Sequence, residues 1–129
     1  MKFIAIFTGI GGFLGVALGA FGAHGLKNII AANALVIYET GVRYQMYHGL
    51  AIVALPALVD YVAPKWLNVT AALFVIGSVF FSGSLYLLAI TGNKFFGPIT
   101  PMGGVLFIAG WCVLVIQLLS GAIQGRNNA

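Results

Sequence analysis

"FIAIFTGIGGFLGVALGAFGAHGL", residues 3–26, carries no formal charge. A helix needs about 20 mainly apolar residues to cross the hydrocarbon core of a bilayer, and this stretch exceeds that. Residues 66–93 and 95–125 are likewise free of charge. Residues 44–59 form a fourth, shorter gap that needs help from its flanks to span. The charged residues are Lys2, Lys27, Glu39, Arg43, Asp60, Lys65, Lys94 and Arg126, 6% of a chain of 129 that is 61% hydrophobic. A soluble globular chain carries roughly a quarter of its residues charged. In lipid every backbone polar group must be satisfied within the protein, so the pattern predicts an all-α fold. The expected architecture is a single domain, 1–129, an integral membrane bundle of four transmembrane helices at about 3–23, 33–61, 68–90 and 102–123. The opening run is expected to be an uncleaved span. It is longer than a signal-peptide core of about 7–15 residues, and no clear small-x-small site leads into a mature domain.

Breakers and small residues refine this outline. Asp60 to Asn68, with Pro64, reads as a tight turn, and Asn68 is the expected N-cap of helix 3. "TGNKFFGPITP", residues 91–101, stops that helix. Pro56 removes the bond to the carbonyl of Ile52 and predicts a kink in helix 2. Gly11, Gly15 and Gly19, extended by Ala23, form a GxxxG stripe that lets a second backbone approach closely, from the same chain or from another copy. Ser78 with Ser82, and Gly103 with Gly110, suggest further packing seams. The single cysteine, Cys112, excludes an intrachain disulfide and is expected to pack as a small hydrophobe. A net charge of +4 without a basic cluster is no nucleic-acid footprint. The expected partners are membrane lipids, a second copy or a larger membrane complex. If Arg43 lies within the bundle, the count of Lys and Arg favours cytoplasmic termini by one charge, plus the terminal amine.

An even number of spans brings the links after helices 1 and 3 to one membrane face. The unusual polarity belongs there, and the candidate polar site is His24, Glu39, Arg43, Tyr44, Gln45, His48, Ser82, Ser84, Tyr86 and Thr100. Glu39 and Arg43, four apart on helix 2, can pair. Such a pair either anchors an anionic ligand or lipid headgroup, or neutralises itself so that the helix can enter the interface. His24 and His48, the latter placed about one and a half turns into helix 2, are expected near the same leaflet. Two imidazoles are the start of a metal or haem site, but no HxxxH, ExxH or cysteine partner completes one. Interhelical hydrogen bonding is the competing role. A quinone or lipid headgroup held by His, Tyr and Arg stands between the two. Tyr44 and His48 share one face of helix 2, while Glu39, Arg43 and Tyr47 share another. Ser82 and Ser84 lack a GxSxG context, and "GNKFFG" is a turn rather than a phosphate loop. No catalytic set and no cofactor are predicted. A structural or accessory role ranks ahead of a binding module, and an enzyme ranks last.

Five motifs in order, "FGAHGL" (21–26), "YQMYHGLA" (44–51), "FSGSLY" (81–86), "ITPMGG" (99–104) and "GW" (110–111), carry a resemblance. Over essentially its whole length the chain resembles the small bacterial membrane proteins called the domain of unknown function 423 family, whose animal relative is transmembrane protein 256. The resemblance implies a four-helix integral membrane protein, in bacteria of the inner membrane, and implies no activity. The matching positions are Gly22, His24, Gly25, Tyr44, Gln45, His48, Ser82, Gly83, Ser84, Tyr86, Thr100, Pro101, Gly103, Gly104 and Trp111.

Overall fold

The computed structural model describes the backbone of residues 2–127 and the side chains of residues 6–121. The side chains of Lys2 and Arg126, which enter the charge count above, lie outside the described residues. α1 (Lys2–Ala20) runs directly into a π-helical turn, Phe21–Leu26. α2 (Ala32–Ala54) ends in a 3₁₀ turn, Leu55–Leu58. α3 (Pro64–Thr91) is followed by a 3₁₀ turn, Lys94–Phe96, and by α4 (Ile99–Asn127). Each helix packs against the next, and no strand occurs among the described residues. Three helical segments, Ile6–Leu26, Pro64–Thr91 and Lys94–Gly121, are long and apolar enough to cross a membrane. α2 is not among them; its charges and amide lower its hydropathy.

Local chemistry explains the boundaries. Ile52's carbonyl, deprived of its usual donor by Pro56, accepts instead from the Leu55 N–H, so the α-helix tightens into the 3₁₀ turn. Helix 3 begins at Pro64, not at Asn68. Pro64 occupies the first turn, where a missing N–H costs nothing and the ring presets φ, while Asn68 lies exposed inside the helix. Gly92 ends it in the left-handed region at φ 66°, donating to Leu88 O. α4 starts at Ile99 rather than residue 102, because Pro101 falls in the first turn and removes no intrahelical bond.

The α3–α4 pair is a knob-and-hole seam in constant antiparallel register. The Phe74 ring covers Gly110, the Phe107 ring covers Gly77, and Gly103 lies directly on the Phe81 backbone. Residues 74, 77, 81 and 84 face residues 110, 107, 103 and 100, at alternating steps of three and four, the spacing of a heptad seam. Phe74 and Phe107 belong to the larger core cluster with Leu55, Leu67 and Leu114. Cys112, expected to pack as a small hydrophobe, lies off this seam and is exposed.

The glycine stripe of α1 packs within the chain. Gly15 faces Met46; a Cβ on Gly19 would stand 3.4 Å from Val42, and one on Gly22 would stand 2.6 Å from the Tyr38 ring. The stripe departs from the expectation at both ends. Gly11 has open space where a Cβ would stand, and Ala23 is exposed. In the π turn a Cβ on Gly25 would stand 2.7 Å from the ring of Phe21, which accounts for both glycines of "FGAHGL".

Candidate functional site

Gln45 joins three helices. Its Nε2 donates to Gly11 O of α1 at 3.1 Å, and Tyr86 Oη of α3 donates to its Oε1 at 2.7 Å. Nearby, Tyr38 Oη donates to Leu18 O at 2.7 Å, and the Tyr38 and Tyr86 rings sit 4.9 Å apart. Ser82 Oγ donates to Gly41 O at 2.6 Å, across a contact where a Cβ on Gly41 would strike the Tyr86 ring. Ser84 and Thr100 share a hydrogen bond of 2.6 Å between α3 and α4. Each such bond between membrane helices contributes about 0.6 kcal/mol, up to about 1.7. Ser78 does not continue a seam with Ser82; it lines the crevice described below.

His48 is 5% exposed and both its ring nitrogens are engaged. Trp111 Nε1 can only donate, so Nε2 at 3.2 Å accepts, and Nδ1 carries the proton donated to Tyr44 O at 2.8 Å. That assigns the neutral tautomer. The imidazole stacks on Phe107 with centroids 3.5 Å apart and planes at 4°, and meets Phe74 edge-on at 5.0 Å. Among the described residues the Tyr44 phenol has no hydrogen-bond partner; its ring packs 4.6 Å from Phe81. His48 also lies far deeper than its expected place near the helix start. It stands 16 residues beyond Ala32, about 24 Å at 1.5 Å per residue.

His24, in contrast, is exposed in the π turn. Tyr38 is level with Leu18 and Gly22, and Gln45 with Gly11, so His24 lies level with the first turns of α2. About 12 residues, or about 18 Å, separate that level from His48. The two histidines therefore do not share a site. Among the described residues no group of three or more His, Cys, Asp or Glu could hold a metal ion. The expected one-leaflet cluster is instead a string of interhelical contacts, from Ser84–Thr100 near the end of α3 to His48–Trp111 deep in the bundle. Trp111 is the partner that the candidate set omitted. Its only sequence signal is the "GW" pair, because its contact with His48 spans 63 positions and two non-consecutive helices.

Glu39 and Arg43 face away from the bundle. Their single contact is 3.8 Å, with side chains 46% and 64% exposed. Elsewhere a crevice of about 360 Å³ lies between α1, α2 and α3, with Gln45, Ser78 and Tyr86 among its walls. Gly11, Gly49 and Gly83, one from each helix, line it, and each has nothing within 4 Å of its Cβ position. The crevice exists because three side chains are missing.

The family described as Protein of unknown function (DUF423) matches residues 18–104. The chain belongs to this family. A UPF0382 membrane protein of Staphylococcus saprophyticus is 46% identical over 116 residues, covering 90% of this chain and 96% of the relative. The UPF0382 inner membrane protein YgdD of Escherichia coli K12 is 40% identical over 127 residues, covering 98% and 94%. A UPF0382 membrane protein of Staphylococcus epidermidis is 44% identical over 122 residues, covering 95% and 99%. No solved structure matches the chain. With its apolar helices and these relatives, this DUF423 member is a multi-pass membrane protein, and the relatives' names assign no activity.

Proposed function

We propose that this DUF423 protein is a four-span structural or accessory protein of the bacterial inner membrane that assembles with itself and has no catalysis of its own. One observation carries the reading: six polar side chains of its motifs are engaged in holding helix to helix. Gln45, Tyr86, Ser82, Ser84, Thr100 and His48 all bond across helices or to the backbone, which leaves no nucleophile–base pair and no open ligand set among the described residues. The fourth span is α2. It lies antiparallel between α1 and α3, tied to α1 at Leu18 and Gly11, so it shares the depth of its neighbours. The glycine stripe of α1 and the α3–α4 glycines are occupied within the chain, so self-assembly uses another surface. Mass measurement in mild detergent, with an absorption spectrum and metal analysis, tests the reading. An oligomer without chromophore or stoichiometric metal supports it; a strictly monomeric particle, or a bound cofactor, refutes it.

The glycine-lined crevice supports a second reading, a binding module for a quinone or lipid, with Gln45, Tyr86 and Ser78 as its hydrogen-bonding wall. This site is distinct from the cluster of His24, Arg43 and Tyr44. Gly49→Leu and Gly83→Leu would fill the crevice; retention of a co-purifying apolar ligand by both would exclude it.

A further inference from the structure

The crevice between α1, α2 and α3 lies midway along the helices. Ser78, in its wall, stands 14 residues after Pro64 and 13 before Thr91, the ends of α3. Gln45 stands 13 residues after Ala32 and 13 before Leu58, the ends of α2 with its 3₁₀ turn. Apart from Gln45, Ser78 and Tyr86 the walls are apolar side chains and glycines. Ile10, Leu14 and Val79 line the crevice and are also exposed, and α1 and α3 scarcely touch each other. The crevice therefore opens sideways, between α1 and α3, toward lipid. Two donors in its wall are unused. The Ser78 hydroxyl has no partner among the described residues, and Gln45 Nε2, having given one hydrogen to Gly11 O, keeps a second. Tyr86 has its hydrogen committed to Gln45. Lipid tails accept no hydrogen bond, so both free donors are costly at this depth unless a ligand accepts them.

We propose that the crevice is a site for a quinone-class molecule drawn from the bilayer, a proposal that rests on reading the crevice as a binding site. The ring carbonyls accept from Ser78 and from the second Gln45 N–H. Gly11, Gly49 and Gly83, with nothing within 4 Å of their Cβ positions, leave room for a flat ring against bare backbone. The volume of about 360 Å³ falls among small-molecule pockets, about 300–1,000 Å³, which are mainly apolar with a few placed polar groups. Depth separates this ligand from a phospholipid. The hydrocarbon core is about 30 Å thick, so ester carbonyls and headgroups lie about 15 Å from the mid-plane, and only alkyl chain reaches Ser78. A quinone ring is neutral, dissolves in the core and brings its acceptors to that level. The sideways opening lets it exchange with the bilayer, so it is an exchangeable ligand and not a resident cofactor.

The test uses the full chain in phospholipid nanodiscs and two probes, a decyl-substituted benzoquinone and decylbenzene, which lacks the carbonyls. Uptake is measured against protein-free nanodiscs. The benzoquinone should show saturable excess uptake approaching one per chain. Ser78→Ala should weaken it about 2- to 10-fold, the loss of one hydrogen bond. Gly83→Leu should abolish it, and Val105→Leu, exposed on α4, should leave it unchanged. Decylbenzene should bind more weakly and be indifferent to Ser78→Ala. Ser78→Ala removes one atom from a half-buried site, so the test does not depend on whether Gly83→Leu folds. Equal uptake of the two probes, indifferent to Ser78→Ala but blocked by Gly83→Leu, overturns the quinone and leaves a crevice for hydrocarbon chains. Benzoquinone uptake that survives both variants overturns the crevice as its site. No saturable uptake of either probe overturns the inference and the binding-site reading together.

Discussion

Gly103 and Gly83 make a controlled pair. Both lie inside helices of the same protein, and at both the change to Ala removes the helix penalty of glycine, about 0.8–1 kcal/mol. Their surroundings are opposite. At Gly83 a Cβ meets nothing within 4 Å. At Gly103 it overlaps the Phe81 backbone nitrogen and lies 2.7 Å from Phe81 Cα. A backbone cannot rotate aside as a side chain can, so α3 and α4 must part. Parting them loosens the Phe107–Gly77 contact and the Ser84–Thr100 bond on either side. Overpacking of this kind costs about 1–3 kcal/mol. Because the propensity gain is common to both, the difference between the variants isolates the clash. Gly83→Ala should match or exceed the wild type, and Gly103→Ala should fall about 1–3 kcal/mol below Gly83→Ala. Equilibrium unfolding in mild detergent, followed by fluorescence of Trp66 and Trp111, reads the difference. Equal stability of the two variants, or a more stable Gly103→Ala, would refute the backbone-contact seam between α3 and α4.

Gln45→Leu removes the donor to Gly11 O and strands the Tyr86 hydroxyl, so it should cost about 1–3 kcal/mol in the same unfolding assay, from two interhelical bonds; a neutral result would remove Gln45 as the joint of three helices. His48→Phe keeps an aromatic ring on Phe107 but leaves the Trp111 indole without its acceptor, at about 1–3 kcal/mol, and a double-mutant cycle with Trp111→Phe should show coupling; additive effects would dissolve the pair. Reporter fusions at the two termini should report the same side of the membrane, and opposite sides would mean that α2 does not cross.

Three helices were legible in the charge gaps alone, since an uncharged run of that length has few homes other than a bilayer. The tightening after α2 was legible too, because Pro56 removes a particular donor from a particular carbonyl. Other features depend on which face meets which neighbour. Gly11 and Gly15 are equivalent in a GxxxG pattern, yet one borders a crevice and the other receives Met46. His24 and His48 look like a pair because each stands among motif residues, but antiparallel register sends them to different depths. The division of α2 into a Tyr44/His48 face and a Glu39/Arg43/Tyr47 face was readable from helical geometry. Which of them turns inward was not, because that depends on Phe74, Phe107 and Trp111, far along the chain.

The low hydropathy of α2 has a structural source. A helix at the edge of a membrane bundle meets mainly lipid, whereas α2 touches α1 through Tyr38 and Gln45, α3 through Gly41, Gln45 and His48, and α4 through His48. Polar side chains on those arcs are satisfied by neighbouring helices, so they can be placed there without the cost of exposure to lipid. The remaining arc follows no such rule. An arginine at the centre of a bilayer-spanning helix costs about 2.5–3.5 kcal/mol on insertion scales. A lipid-facing arc carrying Arg43 and Glu39 would therefore be a standing loss, with one long ion-pair contact to offset it. The polarity on the inner arcs is explained by contacts with neighbouring helices, whereas Glu39 and Arg43 on the outer arc have only their long contact with each other among the described residues.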